Sequence, residues 1–120
     1  MTRPADEVGE QLAEWGVVAR IKTTGRASGR AIAVSVGYVA EPDGSILVAA
    51  GEPNAGWARN LDADPRAHVT IESRRFDAVA EPLDESAAAA LVVGLILKYG
   101  TPAERLGRGP AFRLRPVSRA

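Results

Sequence analysis

The residues best equipped for chemistry crowd into one stretch, RIKTTGRASGRAIAV at positions 20–34. A strand-like run ends in Thr23 and Thr24, turns through Gly25, Arg26, Ala27, Ser28, Gly29 and Arg30, and becomes strand-like again. An Asn-Gly pair would turn the chain more simply. Glycines permit positive φ, and successive backbone N–H groups brought out above such a turn form a concavity for an anion. The hydroxyls of Thr23, Thr24 and Ser28 add donors, and an arginine adds a charged fork that matches phosphate or carboxylate. The same residues also suit a solvated turn whose arginines only keep the surface soluble.

Other groups are fewer. Trp57 and Asn60 fall on a short helical segment, where Trp57 with Leu61 can staple the helix to a core and Asn60 can bridge backbone groups. Tyr99 closes a later helix, and its phenol could orient a carbonyl or nitro group or donate a proton, or close the turn against the core. His68, the one histidine, sits mid-strand and reads as structural or exposed. No serine, histidine and carboxylate fall at spacings that suggest a triad.

The elements that must position these residues follow from patterning. At 120 residues the chain is expected to form one domain, 1–120, with a core that needs neither metal nor disulfide. Cysteine is absent, which removes disulfides and thiol nucleophiles, and one histidine makes no metal site. Lys plus Arg equals Asp plus Glu at 15 each, so net charge argues neither for nucleic acid nor for an anionic membrane surface, and no nucleic-acid partner is expected. The longest apolar run, Ala87 to Leu97, is too short for a transmembrane segment. The start MTRPADEVGE is acidic and lacks an apolar signal region, and a cytoplasmic location is expected.

Val8, Leu12 and Trp15 predict a helix over about 4–15. Barrel strands are expected between about 17 and 82: 17–24, 31–40, ILVAA from 46, HVTIES and RFDAVAE. A helix is expected over about 84–99, with Asp84 as N-cap and Gly100 as the stop, then a final strand over about 111–117. Six short, mainly antiparallel strands with peripheral helices predict a mainly β fold, a small closed or half-closed barrel that hides its edges.

The segments TTGRASGRAIAVSVGYV, ILVAAG and GWARNLDADPRAHVTIESRRFDAVAE together resemble the deazaflavin-dependent nitroreductase and quinone reductase family, typical of actinobacteria. The resemblance covers roughly residues 17–117, and the Thr-Thr-Gly-Arg-x-Ser-Gly and Trp-x-x-Asn-Leu-x-x-x-Pro motifs are its most specific parts. It implies a six-stranded antiparallel split β-barrel of the FMN-binding and pyridoxamine-phosphate-oxidase-like kind. It also implies the 8-hydroxy-5-deazaflavin coenzyme F-420, whose tail carries a phosphodiester and oligoglutamate, with FMN as an alternative cofactor.

On that resemblance Arg26 pairs with tail anions, Ser28 and the Gly29 N–H donate, Thr24 and Gly25 shape the turn, and Arg30 adds charge. Ala50 and Gly51 occupy a loop that often reads Ser-Lys-Gly-Gly in the family, Trp57 matches a tryptophan near the cofactor, and Tyr99 is the candidate catalytic residue. The implied reaction is hydride transfer to a quinone, nitroaromatic or activated alkene. The sequence departs from the family at Ala27 and Glu52, where basic residues are common, and at Gly37, often a tyrosine. Those departures keep a second expectation open, a non-catalytic binder of FMN, a tetrapyrrole or an acyl chain. The helix over 84–99 has no polar face through Ala87–Leu97, which implies a cover such as a second subunit in a homodimer.

Overall fold

The computed structural model describes residues 17–100 and 109–117. The helix expected over 4–15 lies outside them. Among the described residues seven strands are present: β1 (Ala19–Thr24), β2 (Ala31–Val36), β3 (Val39–Ala40), β4 (Ile46–Ala49), β5 (Arg66–Ile71), β6 (Arg74–Pro82) and β7 (Ala111–Pro116). Two helices accompany them in the same described residues, α1 (Gly56–Ala63) and α2 (Glu85–Tyr99). The strands form one antiparallel sheet in the order β2-β1-β5-β6-β7-β4-β3, curled into a half-barrel.

Seven strands rather than six is a correction, and Gly37 explains it. The alternation of Ile32, Val34, Val36 and Tyr38 predicts one strand over 31–40. Instead the ladder with β1 ends at Val36, and pairing with β4 begins at Val39. The two halves therefore sit at opposite edges of the sheet, and the chain itself joins the edges through Gly37 and Tyr38. A side chain at Gly37 would place its Cβ 3.0 Å from Cε2 of Tyr99, so the missing side chain admits that ring. The parity of the four apolar residues survives the break, and Tyr38 is buried with the main core.

Inward-facing residues of every long strand build that core. Ile21, Ile46, Val48, Val69, Phe112 and Leu114 are fully buried, with Ala58 and Leu61 of α1 packed among them. Each large apolar side chain so buried contributes about 1.5–3 kcal/mol. A second cluster lies on the outer side, where Leu91 and Leu95 of α2 meet Ala49, Ala111, Val39 and Leu47. Gly94 lets the helix approach, since a Cβ there would lie 3.3 Å from Cγ2 of Val39. α2 begins where the sequence predicts, with Asp84 accepting from the Ala87 amide at 2.7 Å, and ends at Gly100 with φ 96°. Its other side stays bare: Val93 is 58% and Leu97 83% exposed.

Candidate functional site

The 24–30 turn is fastened to α1 by one buried side chain. Asn60, on the second turn of α1 and 3% exposed, accepts at Oδ1 from the Arg26 amide at 3.2 Å and from Arg26 Nη1 at 2.8 Å. Its Nδ2 donates to Oγ1 of Thr23 at 3.2 Å, so every polar atom of the amide has a partner. Arg26 Nη1 also donates to the Gly56 carbonyl at 3.3 Å. These bonds bring hairpin and helix together around a cavity of about 400 Å³. Gly25, Arg26, Ala27 and Ser28 form its rim, Ile32 and Val34 of β2 one wall, and Gly56, Trp57 and Asn60 the other. Trp57 is half-buried, its ring tilted at 58° to Phe112 with centroids 6.2 Å apart, so the core fixes the wall it presents.

The turn differs in detail from its sequence reading. Only Gly29 has positive φ, at 70°; Gly25 is required by crowding, since a Cβ there would meet Ser28 Oγ at 2.7 Å and Ile32 Cδ1 at 3.0 Å. The Gly29 amide is not free for a ligand. It donates to the Gly25 carbonyl at 2.8 Å, while the Gly25 amide donates to the Arg30 carbonyl, also at 2.8 Å. The Arg30 amide donates to Ser28 Oγ at 3.2 Å, which leaves the Ser28 hydroxyl proton to donate elsewhere. Among the described residues, nothing accepts from the Ala27 and Ser28 amides at the apex. Those two successive N–H groups, the Ser28 hydroxyl and the outer edge of the Arg26 guanidinium are a compact set of donors, of the kind that suits an anion.

Other candidates fall elsewhere. Thr24 faces the opposite side of the hairpin and Arg30 is exposed outside the cavity. Ala50 is buried with its amide on the Pro110 carbonyl at 2.9 Å, and the Ala50 and Glu52 carbonyls press against Gly109, so the 50–52 loop does not line the cavity. Tyr99 is also distant in role. Its hydroxyl donates to the Val17 carbonyl at 2.6 Å and accepts from the Tyr38 amide at 3.1 Å, which pins the junction between β2 and β3. Burial raises the phenol above its ordinary pKa, and the hydrogen bond with Tyr38 pulls the other way. His68 pairs through Nδ1 with Asp77 at 2.9 Å on the outer face. Sequence reasoning assigned Ile32 and Val34 to a strand without marking them as cavity wall; their alternation gave the face but not the missing cover.

The sequence profile of the family described as F420H(2)-dependent quinone reductase matches residues 1–103. The chain belongs to this family. Membership implies F-420 as the coenzyme, and the cavity's residue types suit it, since a set of hydrogen-bond donors at the rim adjoins an apolar and aromatic wall, as a flat ring with an anionic tail requires. No curated protein matches the sequence. Solved structures similar to this family member include the heme storage protein HutZ of Vibrio cholerae, at 21% identity and TM-score 0.71, covering 98% of this chain and 93% of that one. Another is an F420-H2 dependent reductase, FDR-A, at 21% identity and TM-score 0.68, covering 82% and 94%. A third, described as a domain-swapped dimer, has 24% identity and TM-score 0.69 over 94% and 100%. At these identities the likeness concerns the split-barrel fold alone.

Proposed function

We propose that the protein is a deazaflavin-dependent reductase that passes hydride from reduced F-420 to a quinone, nitroaromatic or activated alkene. The observation that carries this is the latch of Arg26 and Asn60, which turns the Gly-Arg-x-Ser-Gly hairpin toward Trp57 in a chain of this family. When bound, F-420 supplies the two-electron hydride centre; the protein's part is to hold and orient. Arg26, Ser28 and the apex amides hold the tail's phosphodiester, while Trp57, Ile32 and Val34 offer an apolar wall that excludes water. Thr24, Gly25 and Gly29 keep the turn in shape, and Ala50 packs in the core with Ala58 and Leu61 of α1 rather than touching the coenzyme. The likeness to FDR-A, an F420-H2 dependent reductase, agrees with this reading.

A non-catalytic binder of FMN, a tetrapyrrole or an acyl chain is the second reading. Tyr99 favours it, because its hydroxyl is spent on backbone groups and offers no obvious proton to a substrate. The fold is also that of a heme storage protein. The bare Ala89, Val93 and Leu97 side of α2 suits a second copy of the chain, and one similar structure is a domain-swapped dimer. Among the described residues no helix is long and apolar enough to cross a membrane. Fluorescence titration with oxidised F-420 and FMN side by side, followed by reduction of a quinone with reduced F-420, separates the readings. Micromolar F-420 binding with turnover supports the first; F-420 binding absent while FMN or hemin binds supports the second.

A further inference from the structure

We propose that Asn60 is a positioning residue of the coenzyme site, one that holds Arg26 in place without neutralising it; the inference rests on the deazaflavin reading above. Asn60 has no need to touch the coenzyme. It acts through the arginine.

The helix supplies two acceptors on one side. Gly56 and Asn60 are four residues apart on α1, so they share a face, and helical side chains lean back toward the N-terminus. Asn60 Oδ1 and the Gly56 carbonyl therefore come together, and Arg26 Nη1 donates to both, at 2.8 and 3.3 Å. The Arg26 amide donates to the same Oδ1 at 3.2 Å. Both groups that reach Asn60 from the turn are donors, so the side-chain amide must present its oxygen to them. Its nitrogen is thereby turned toward β1, where Thr23, itself 2% exposed, accepts at Oγ1. The amide is fixed at both ends, and it engages only Nη1 of the guanidinium. Among the described residues, Nε and Nη2 of Arg26 have no partner.

An aspartate in the same place could accept the same two bonds, and more strongly. Three other arginines are held by carboxylates: Arg66 by Asp64, Arg113 by Glu41 and Arg115 by Glu81. Arg26 has no ion pair of this kind among the described residues; an amide and a backbone carbonyl, both uncharged, hold it. The difference matters because Arg26 alone is charged among the described residues that line the cavity. The apex amides and the Ser28 hydroxyl contribute dipoles only. With a carboxylate on Arg26, an entering phosphodiester would meet a neutral pair. Asn60 gives the guanidinium a fixed place and leaves its whole charge for the anion.

Asn60→Asp separates this role from a merely structural one. The introduced carboxylate can accept both bonds from Arg26, and the Thr23 hydroxyl can turn to donate to its second oxygen. The hydrogen bonds are conserved and the charge is not. Fluorescence titration with F-420 at low and high salt should show affinity roughly ten- to a hundredfold weaker at low salt, with a flatter salt dependence, while thermal unfolding stays close to the wild type. Asn60→Ala, measured alone and in an Arg26→Ala background, decides the matter even if the carboxylate variant does not fold. Its effect on affinity should be several-fold larger when Arg26 is present than when it is absent. Wild-type affinity and salt dependence in a folded Asn60→Asp overturn the inference. So does an equal loss from Asn60→Ala in both backgrounds, which would mean that Asn60 meets the coenzyme itself or serves only the fold. Either result leaves the coenzyme reading standing, whereas a wild type that does not bind F-420 overturns both.

Discussion

Arg26 has two duties, and a single substitution tests both. One Nη and its amide hold the turn to Asn60, and the rest of the guanidinium faces the cavity rim. Arg26→Ala should weaken F-420 binding roughly ten- to a hundredfold, about 1.5–3 kcal/mol, in a fluorescence titration. Because the amide bond survives the change, the melting temperature should fall little; unchanged affinity would remove the turn from the site. Glu52 tests the neighbouring loop. Its carboxylate is exposed just before α1, and Glu52→Lys should tighten F-420 binding a few-fold at low salt, with the gain lost as salt rises and FMN affected less. An equal gain for both cofactors would mean that the tail does not pass this loop. Tyr99→Phe should behave in the opposite sense. It leaves the Tyr38 amide and Val17 carbonyl without their partner, so chemical denaturation should show a loss of about 1–3 kcal/mol while coenzyme affinity holds. A variant that keeps its stability but loses turnover would restore Tyr99 to the chemistry.

At the scale of elements, α2 makes the clearest demand. Its inner side is fixed by Leu91 and Leu95, whereas Leu97 projects into solvent one turn beyond Val93. If a second copy covers that stripe, light scattering at micromolar concentration should report a dimer, and Leu97→Glu should return it to monomer without unfolding it. A strictly monomeric wild type would refute the cover. The end of α1 is secured differently. Asp64 accepts from the Arg66 amide at 3.1 Å and from its guanidinium at 3.0 and 2.7 Å, and these bonds, side-chain ones foremost, lower its pKa from 3.8 to about 2. A carboxylate with a depressed folded pKa contributes fully above its unfolded value and loses that contribution as pH falls through the folded one. Acid unfolding should therefore carry an Asp64 component between about pH 4 and pH 2. Asp64→Asn should flatten that part of the curve; an identical acid limb in the variant would show that the Arg66 bond stabilises nothing.

The whole molecule shows what local pattern can and cannot carry. Alternation and short apolar runs located the strand segments, with β2 and β3 read as one, and Asp84 with Gly100 bounded α2 closely, because periodicity and capping are properties of a few adjacent residues. Pattern could not show that residues 31–40 serve both edges of the sheet, since closure depends on how far the whole sheet curls and on the space that Gly37 leaves for Tyr99. The candidate site followed the same rule. The Gly-Arg-x-Ser-Gly turn was legible as a cluster of donors suited to an anion, but which amides it keeps for itself depends on Gly29 closing onto Gly25, and the latch needed Asn60 from thirty-four residues away. The strand order carries a consequence for biosynthesis. β7 comes after the other strands in the chain, yet it lies between β6 and β4 and completes the ladder with each. Until residues 111–116 emerge from the ribosome, β4 and β6 each keep a bare edge, with Ile46, Val48, Ala78 and Ala80 lacking part of their cover. The nascent chain thus passes through a stage with two sticky, unjoined fragments of sheet. Protection from aggregation in that interval must come from chaperones or speed rather than from the fold.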